Sequence, residues 1–124
     1  MTLPRDATFY NLSVTNTLRV GNYGTVTQIT SITTGVTVNA KRGAITTFDP
    51  ALAAAAEVEF VVTNSECHAG DVVAVAVASG PSDNEHVFAF VSAVSEGSFS
   101  IVLGNLAAAN QADGAMVINF AIIG

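Results

Sequence analysis

Charge is what this sequence has least of. Only 11% of its 124 residues are charged, against about 25% in ordinary soluble domains. That is too little to solvate the whole surface of a folded domain. Part of the surface is therefore expected either to be covered by another subunit or a partner, or to be a flat Ser/Thr/Asn surface. Basic residues are scarcest: Arg5, Arg19, Lys41 and Arg42 are the four, and the formal net charge is −6. Nucleic-acid binding needs clustered Lys or Arg to displace phosphate counterions. One Lys41–Arg42 pair makes no such patch, so no nucleic-acid partner is expected.

Other absences narrow the class further. Cys67 is the single cysteine, so an intrachain disulfide is excluded, and with it a disulfide-stapled secreted mini-domain. The opening residues Met-Thr-Leu-Pro-Arg-Asp carry no apolar run of the secretory type. The most apolar tail, 114–124, falls short of the about 20 residues a membrane helix needs. It reads as a buried strand, and no membrane partner is expected. Tryptophan is absent, which weakens a carbohydrate-binding reading, since sugar sites usually expose aromatic platforms; Tyr10 and Tyr23 are the only tyrosines and both lie near the N-terminus. No βαβ alternation with long helices occurs, which argues against a parallel α/β sheet.

What the chain does have is strand material. The run Gly24-Thr-Val-Thr-Gln-Ile-Thr-Ser-Ile-Thr-Thr-Gly-Val-Thr-Val-Asn39 is almost all β-branched, and such side chains suit a pleated surface. Strands are expected near 25–32, 35–40, 44–48, 57–63, 71–79, 86–94, 97–103 and 115–123. Turn residues separate them: Gly35, Lys41-Arg42-Gly43, Asn64-Ser65, Gly80 through Asn84, and Glu96-Gly97. Short strands at this spacing indicate an all-β, antiparallel β-sandwich, jelly-roll-like in its organisation. Its core would fill residues 21–124, a length that makes one domain.

Residues 12–20 also alternate: Leu12, Val14, Leu18 and Val20 face one way, and Ser13, Thr15, Thr17 and Arg19 the other. Gly21-Asn22-Tyr23-Gly24 then breaks the chain. Residues 1–20 are either an extended N-terminal arm packing on a neighbour or the first strand of the same sandwich. Two Ala-rich segments read as short crossovers between sheets. The 49–56 segment has Asp49 as an N-cap candidate and Pro50 at the first helical position. The 105–114 segment has Gly114 as a stop. Each could form one or two helical turns. Two strands are apolar on both faces, 71–79 and 115–123. One face of each must meet something beyond the core, an Ala-rich crossover or another subunit.

Chemistry is sparse. Glu66-Cys67-His68 with Asp71, and Glu85-His86, are the only metal-type ligands that cluster, and their spacing is not that of a structural zinc site. Cys67 and His68 are neighbours, and neighbours on a strand point to opposite faces, so they make a poor nucleophile and base. Ser82-Asp83-Asn84 matches one β-lactamase motif without its companions and reads as a turn. Glu57 and Glu59 share one strand face, as a wet edge would. No enzyme activity, cofactor or metal is expected.

The run 24–39, followed by Gly43-Ala-Ile-Thr-Thr47, Phe60-Val-Val-Thr-Asn64, Asp71-Val-Val73, Gly97-Ser-Phe-Ser-Ile101 and Val117-Ile-Asn-Phe-Ala-Ile-Ile123, resembles a pattern that recurs in tailed-bacteriophage virion proteins. The resemblance covers about residues 21–124. It is to the small β-sandwich module of capsid decoration (cement) proteins, also found near the ends of tail fibres. It implies a homotrimer on the capsid exterior of a virion, no catalysis, and the phage major capsid protein as partner. On this expectation Leu12, Val14, Leu18 and Val20 form the interface that pairs with the shell or an adjacent protomer. The alternative is a tail-fibre or tailspike tip module that binds a host receptor or glycan. The short chain and its own Met1 favour the decoration protein.

Overall fold

The computed structural model describes residues 11, 13–16, 21–49, 52–81 and 86–124. Eight strands run through them: β1 (Tyr23–Thr27), β2 (Val36–Thr37), β3 (Arg42–Thr46), β4 (Glu57–Thr63), β5 (Val72–Ser79), β6 (Val87–Ser95), β7 (Ser98–Asn105) and β8 (Val117–Ile123). Among the described residues there is no α-helix. The fold is all-β, as the strand-forming composition and the spacing of turn residues require.

The strands form two four-stranded sheets, ordered β1-β3-β8-β5 and β2-β4-β7-β6. Both contribute to one core. Ile45, Ile118, Phe120 and Ile122 come from the first sheet, and Phe60, Val62, Phe99, Ile101 and Leu103 from the second. Phe99 and Phe120 meet between the sheets with ring centroids 5.7 Å apart. The alternation read from sequence produces this directly: in β4, Val58, Phe60 and Val62 turn inward while Glu57, Glu59 and Thr63 stay exposed.

Neither sheet is purely antiparallel, which corrects the antiparallel jelly-roll expectation. β1 pairs with β3, and β2 with β4, in parallel; the remaining pairs are antiparallel. Parallel neighbours need a crossover, most often a helix. Here the crossover is a strand of the opposite sheet. The chain leaves β1, passes through β2 in the second sheet and returns as β3. It repeats the device one step later, from β2 through β3 to β4. The β-branched run over 24–39 supplies β1 and β2, so these crossings are made out of strand.

Element limits differ most from the sequence reading in three places. The strand expected over 25–32 ends at Thr27, because the Gln28 side chain turns the chain. Its amide donates to the carbonyls of Ile32 and Thr34 at 3.1 and 2.8 Å and accepts from Phe48 N–H at 3.0 Å. The strand expected over 35–40 is ladder-paired only at Val36–Thr37. The turn expected at Lys41-Arg42-Gly43 closes earlier, so that Arg42 and Gly43 belong to β3. Gly43 is required there: a Cβ would collide with the backbone carbonyl oxygen of Gly24 on β1.

The Ala-rich segments do link one sheet to the other, β3 to β4 and β7 to β8, but without helix in the described residues. Pro50 and Ala51 lie outside those residues. The two segments pair with each other instead. Leu52 and Ala112 exchange two backbone hydrogen bonds of 2.9 and 2.8 Å, and Ala55 N–H donates to Ala107 O at 3.0 Å. A helical turn this short has a costly nucleus and few bonds to offset it, whereas cross-segment pairing satisfies both backbones at once.

Candidate interaction faces

Of the expected arm over residues 1–20, only 11 and 13–16 are described. Leu12, Leu18 and Val20 therefore lie outside the described residues. Val14 is exposed, at 42% of its full surface.

The first sheet presents its outward face through residues two apart on each strand. Inward, Val73, Val75 and Val77 of β5 pack against the core. Outward, Val72, Ala74, Ala76 and Ala78 are exposed. The pairing register aligns Tyr23, Arg42, Ala121 and Ala74 in one row, and Thr25, Ala44, Asn119 and Ala76 in the next. Val72 stands opposite Ile123, and each is 62% exposed. No described crossover covers this face. Among the described residues its one charged side chain is Arg42, whose guanidinium lies 5.3 Å from the centre of the Tyr23 ring, within cation–π range. At that end a cleft of about 390 Å³ opens between Lys41, Arg42 and the last strand, Ala121 to Gly124.

The second sheet has an outward face of opposite character. Glu57 and Glu59 of β4 face outward with Val61, which is 47% exposed. Across the sheet, Glu57, Gly104 and Phe88 share one row, and Glu59, Val102 and Phe90 the next. The Phe88 and Phe90 rings are nearly parallel, 7° apart, with centroids separated by 5.9 Å. Gly104 makes room for this pair: a Cβ there would run into the Phe88 ring. Val102, although it points outward, is buried opposite Phe90. Ser92 sits at a register shift in β6 and donates a 2.5 Å hydrogen bond to Glu59. The Phe88/Phe90 pair was not singled out from the sequence. Its signal was the i, i+2 spacing of two aromatics in a strand whose other face is Val87, Ala89 and Val91.

The metal-type residues are held by ordinary turn chemistry. Cys67 is fully buried, with its thiol 3.5 Å from Ser98 O and 3.6 Å from Ser95 O. Burial pushes the thiol pKa up, and the charges of Asp71 and Glu96 push it the same way. His68 points elsewhere: its Nδ1 is 2.7 Å from Glu96, whose second oxygen accepts from Ala69 N–H at 3.1 Å. Asp71 accepts from His68 N–H at 2.9 Å. Thiol and imidazole thus serve different partners, although the two residues lie in the loop between β4 and β5 and not on a strand, so strand alternation is not the reason. Among the described residues no three His, Cys, Asp or Glu side chains are grouped to hold a metal ion. Asp83 and Glu85 lie outside the described residues.

Among the described residues, two outward sheet faces stand open to other molecules, one rich in exposed alanine and valine and the other bearing Glu57 and Glu59. Compared with known proteins, the chain matches no family model, no curated protein and no solved structure.

Proposed function

We propose that this protein is a structural component of a tailed-phage virion: a decoration (cement) protein that binds the assembled capsid as a trimer and stabilises it. The observation that carries the reading is the uncovered outward face of β5 and β8, where Val72 and Ile123 are each 62% exposed and Ala74 and Ala76 lie bare. Contiguous exposed apolar surface of this kind marks an interaction site rather than a free surface. The physical role is linkage. A protein that binds the closed shell and not its separated subunits stabilises the shell by mass action, in proportion to the logarithm of its free concentration over its dissociation constant. On this reading the major capsid protein is the partner, the capsid exterior is the location, and residues 1–20 engage the shell through Leu12, Val14, Leu18 and Val20. The jelly-roll-like sandwich is kept here in a mixed form, with two parallel pairs.

A second reading, a tail-fibre tip that binds a host glycan or receptor, draws on the stacked Phe88 and Phe90 rings, beside which Glu59 and Ser92 offer polar groups.

Co-sedimentation with purified tailed-phage capsids stripped of their own decoration protein tests the first reading. Bound protein should raise the temperature at which the shells come apart, and the double variant Val14→Asp, Leu18→Asp should lose the binding. No association with shells, together with saturable binding to an immobilised glycan that Phe90→Ala abolishes, would move the assignment to the fibre tip.

A further inference from the structure

We propose that copies of this chain associate head to tail, with the outward face of the first sheet of one copy packed on the outward face of the second sheet of the next. The inference takes from the proposed function only that copies associate. It adds which two surfaces meet.

The argument rests on charges that the protomer leaves unpaired. On the first face the charged group is Arg42, which lies over the Tyr23 ring rather than against a carboxylate. On the second face the charged groups are Glu57 and Glu59. No cation pairs with either, the His68–Glu96 contact being the sole ion pair among the described residues. Each face thus carries one sign of charge within an apolar field: Val72, Ile123 and the β5 alanines on one side, Val61, Phe88 and Phe90 on the other.

Three pairings of these faces are available to identical copies. First face on first face brings two Arg42 cations together with no carboxylate to meet them. Second face on second face brings four carboxylates together. First on second sets Arg42, beside the cationic rim at Lys41, against Glu57 and Glu59. Like charges brought together in a desolvated contact cost several kcal/mol by general experience, whereas complementary ones fix register and partner. Shape agrees with charge. The first face is built largely of alanine, threonine and valine, whose side chains are small, and the second carries the Phe88/Phe90 pair, with Phe90 44% exposed. A contact that uses two different patches of one molecule is heterologous. Such a contact closes into a ring or extends as a row of copies according to the rotation between neighbours.

Mixing two blocked variants tests this. Ala76→Glu puts a carboxylate in the middle of the first face, and Val61→Glu puts one in the middle of the second. Both positions are exposed, and both substitutions have the same sign, so neither compensates the other. Light scattering should show an oligomer for the unmodified protein and a monomer for each variant alone. An equimolar mixture should give dimers of one copy of each and nothing larger, because each variant keeps one good face. Retention of the full oligomer by either variant would overturn the pairing. So would a mixture that stays monomeric, or an unmodified protein that is monomeric throughout. A variant that melts well below the unmodified protein is replaced by Ala74→Glu or Phe90→Glu. Capsid co-sedimentation on the same samples separates the two ideas. Monomeric protein that binds shells overturns the face pairing alone, and a head-to-tail oligomer that ignores shells overturns the decoration reading alone.

Discussion

The side-chain amide of Asn105 reaches back to the carbonyl of Leu52, 53 residues earlier in the chain, at 3.1 Å. The same nitrogen donates to Asn110 O at 2.9 Å, and the amide oxygen accepts from Ala107 N–H at 3.0 Å. Asn105 is 3% exposed. One buried side chain therefore ties together the two Ala-rich segments that carry the chain between the sheets. Among the described residues every buried side-chain nitrogen and oxygen has a partner, and Asn105 makes three such bonds at once.

Asn105→Ala should lower stability by about 2 kcal/mol, because three hydrogen bonds are lost and Asn110 O and Ala107 N–H are left in need of new partners. Leu52 O keeps its bond from Ala112 N–H, which limits the loss. Urea denaturation with an unchanged slope reads this directly. A midpoint equal to that of the unmodified protein would mean that the Leu52–Ala112 bridge holds the crossovers unaided.

Two glycines should respond very differently to the same methyl group. At Gly43 a Cβ meets the backbone carbonyl of Gly24, which cannot move without breaking the parallel β1–β3 pairing. At Gly104 it meets the far end of the Phe88 ring, which can swing outward. Overpacking costs about 1–3 kcal/mol. Gly43→Ala should fall at or above the top of that range and Gly104→Ala at or below its bottom. Thermal melts of the two variants compare them. The Gly104 variant should also bring Phe88 and Phe90 out of their stack, visible as altered aromatic proton shifts.

The His68–Glu96 pair should make a small pH-dependent contribution. Its hydrogen bond to Glu96, and then the carboxylate's charge, hold the His68 pKa above its ordinary 6.5. The same bond, with that from Ala69 N–H, holds Glu96 below its ordinary 4.5. A raised histidine contributes stability below its unfolded value and loses it as pH climbs through the folded one. A lowered carboxylate contributes above its unfolded value and loses it as pH falls through the folded one. Both contributions are complete between 4.5 and 6.5. Both groups are exposed, so solvent screening keeps the effect small. An NMR titration should place His68 above 6.5, and Glu96→Gln should move it back toward that value. An unmoved titration would remove the pair as the cause.

Local chemistry made much of this protein legible from its sequence. The alternation in Glu57–Thr63, the Glu96-Gly97 turn between β6 and β7, and the two-faced apolar character of β5 and β8 are properties of residues one or two apart. Strand, turn and side-chain direction are decided at that range. The sequence therefore determined the all-β class, most strand positions, and the shared outward face of Glu57 and Glu59. Tertiary structure decided what depends on partners far along the chain. Whether β1 and β3 pair in parallel depends on β2 crossing in the other sheet, and no local pattern records that route. The Ala-rich segments have composition suited to helix, yet each found its hydrogen bonds in the other, across a gap that only folding closes. The Phe88–Phe90 pair needed Gly104 of the neighbouring strand beneath it. Likewise, the sign of charge on each outward face became readable only when the register placed Arg42 beside Ala121 and Glu59 beside Val102, since a surface is assembled from strands that are not consecutive.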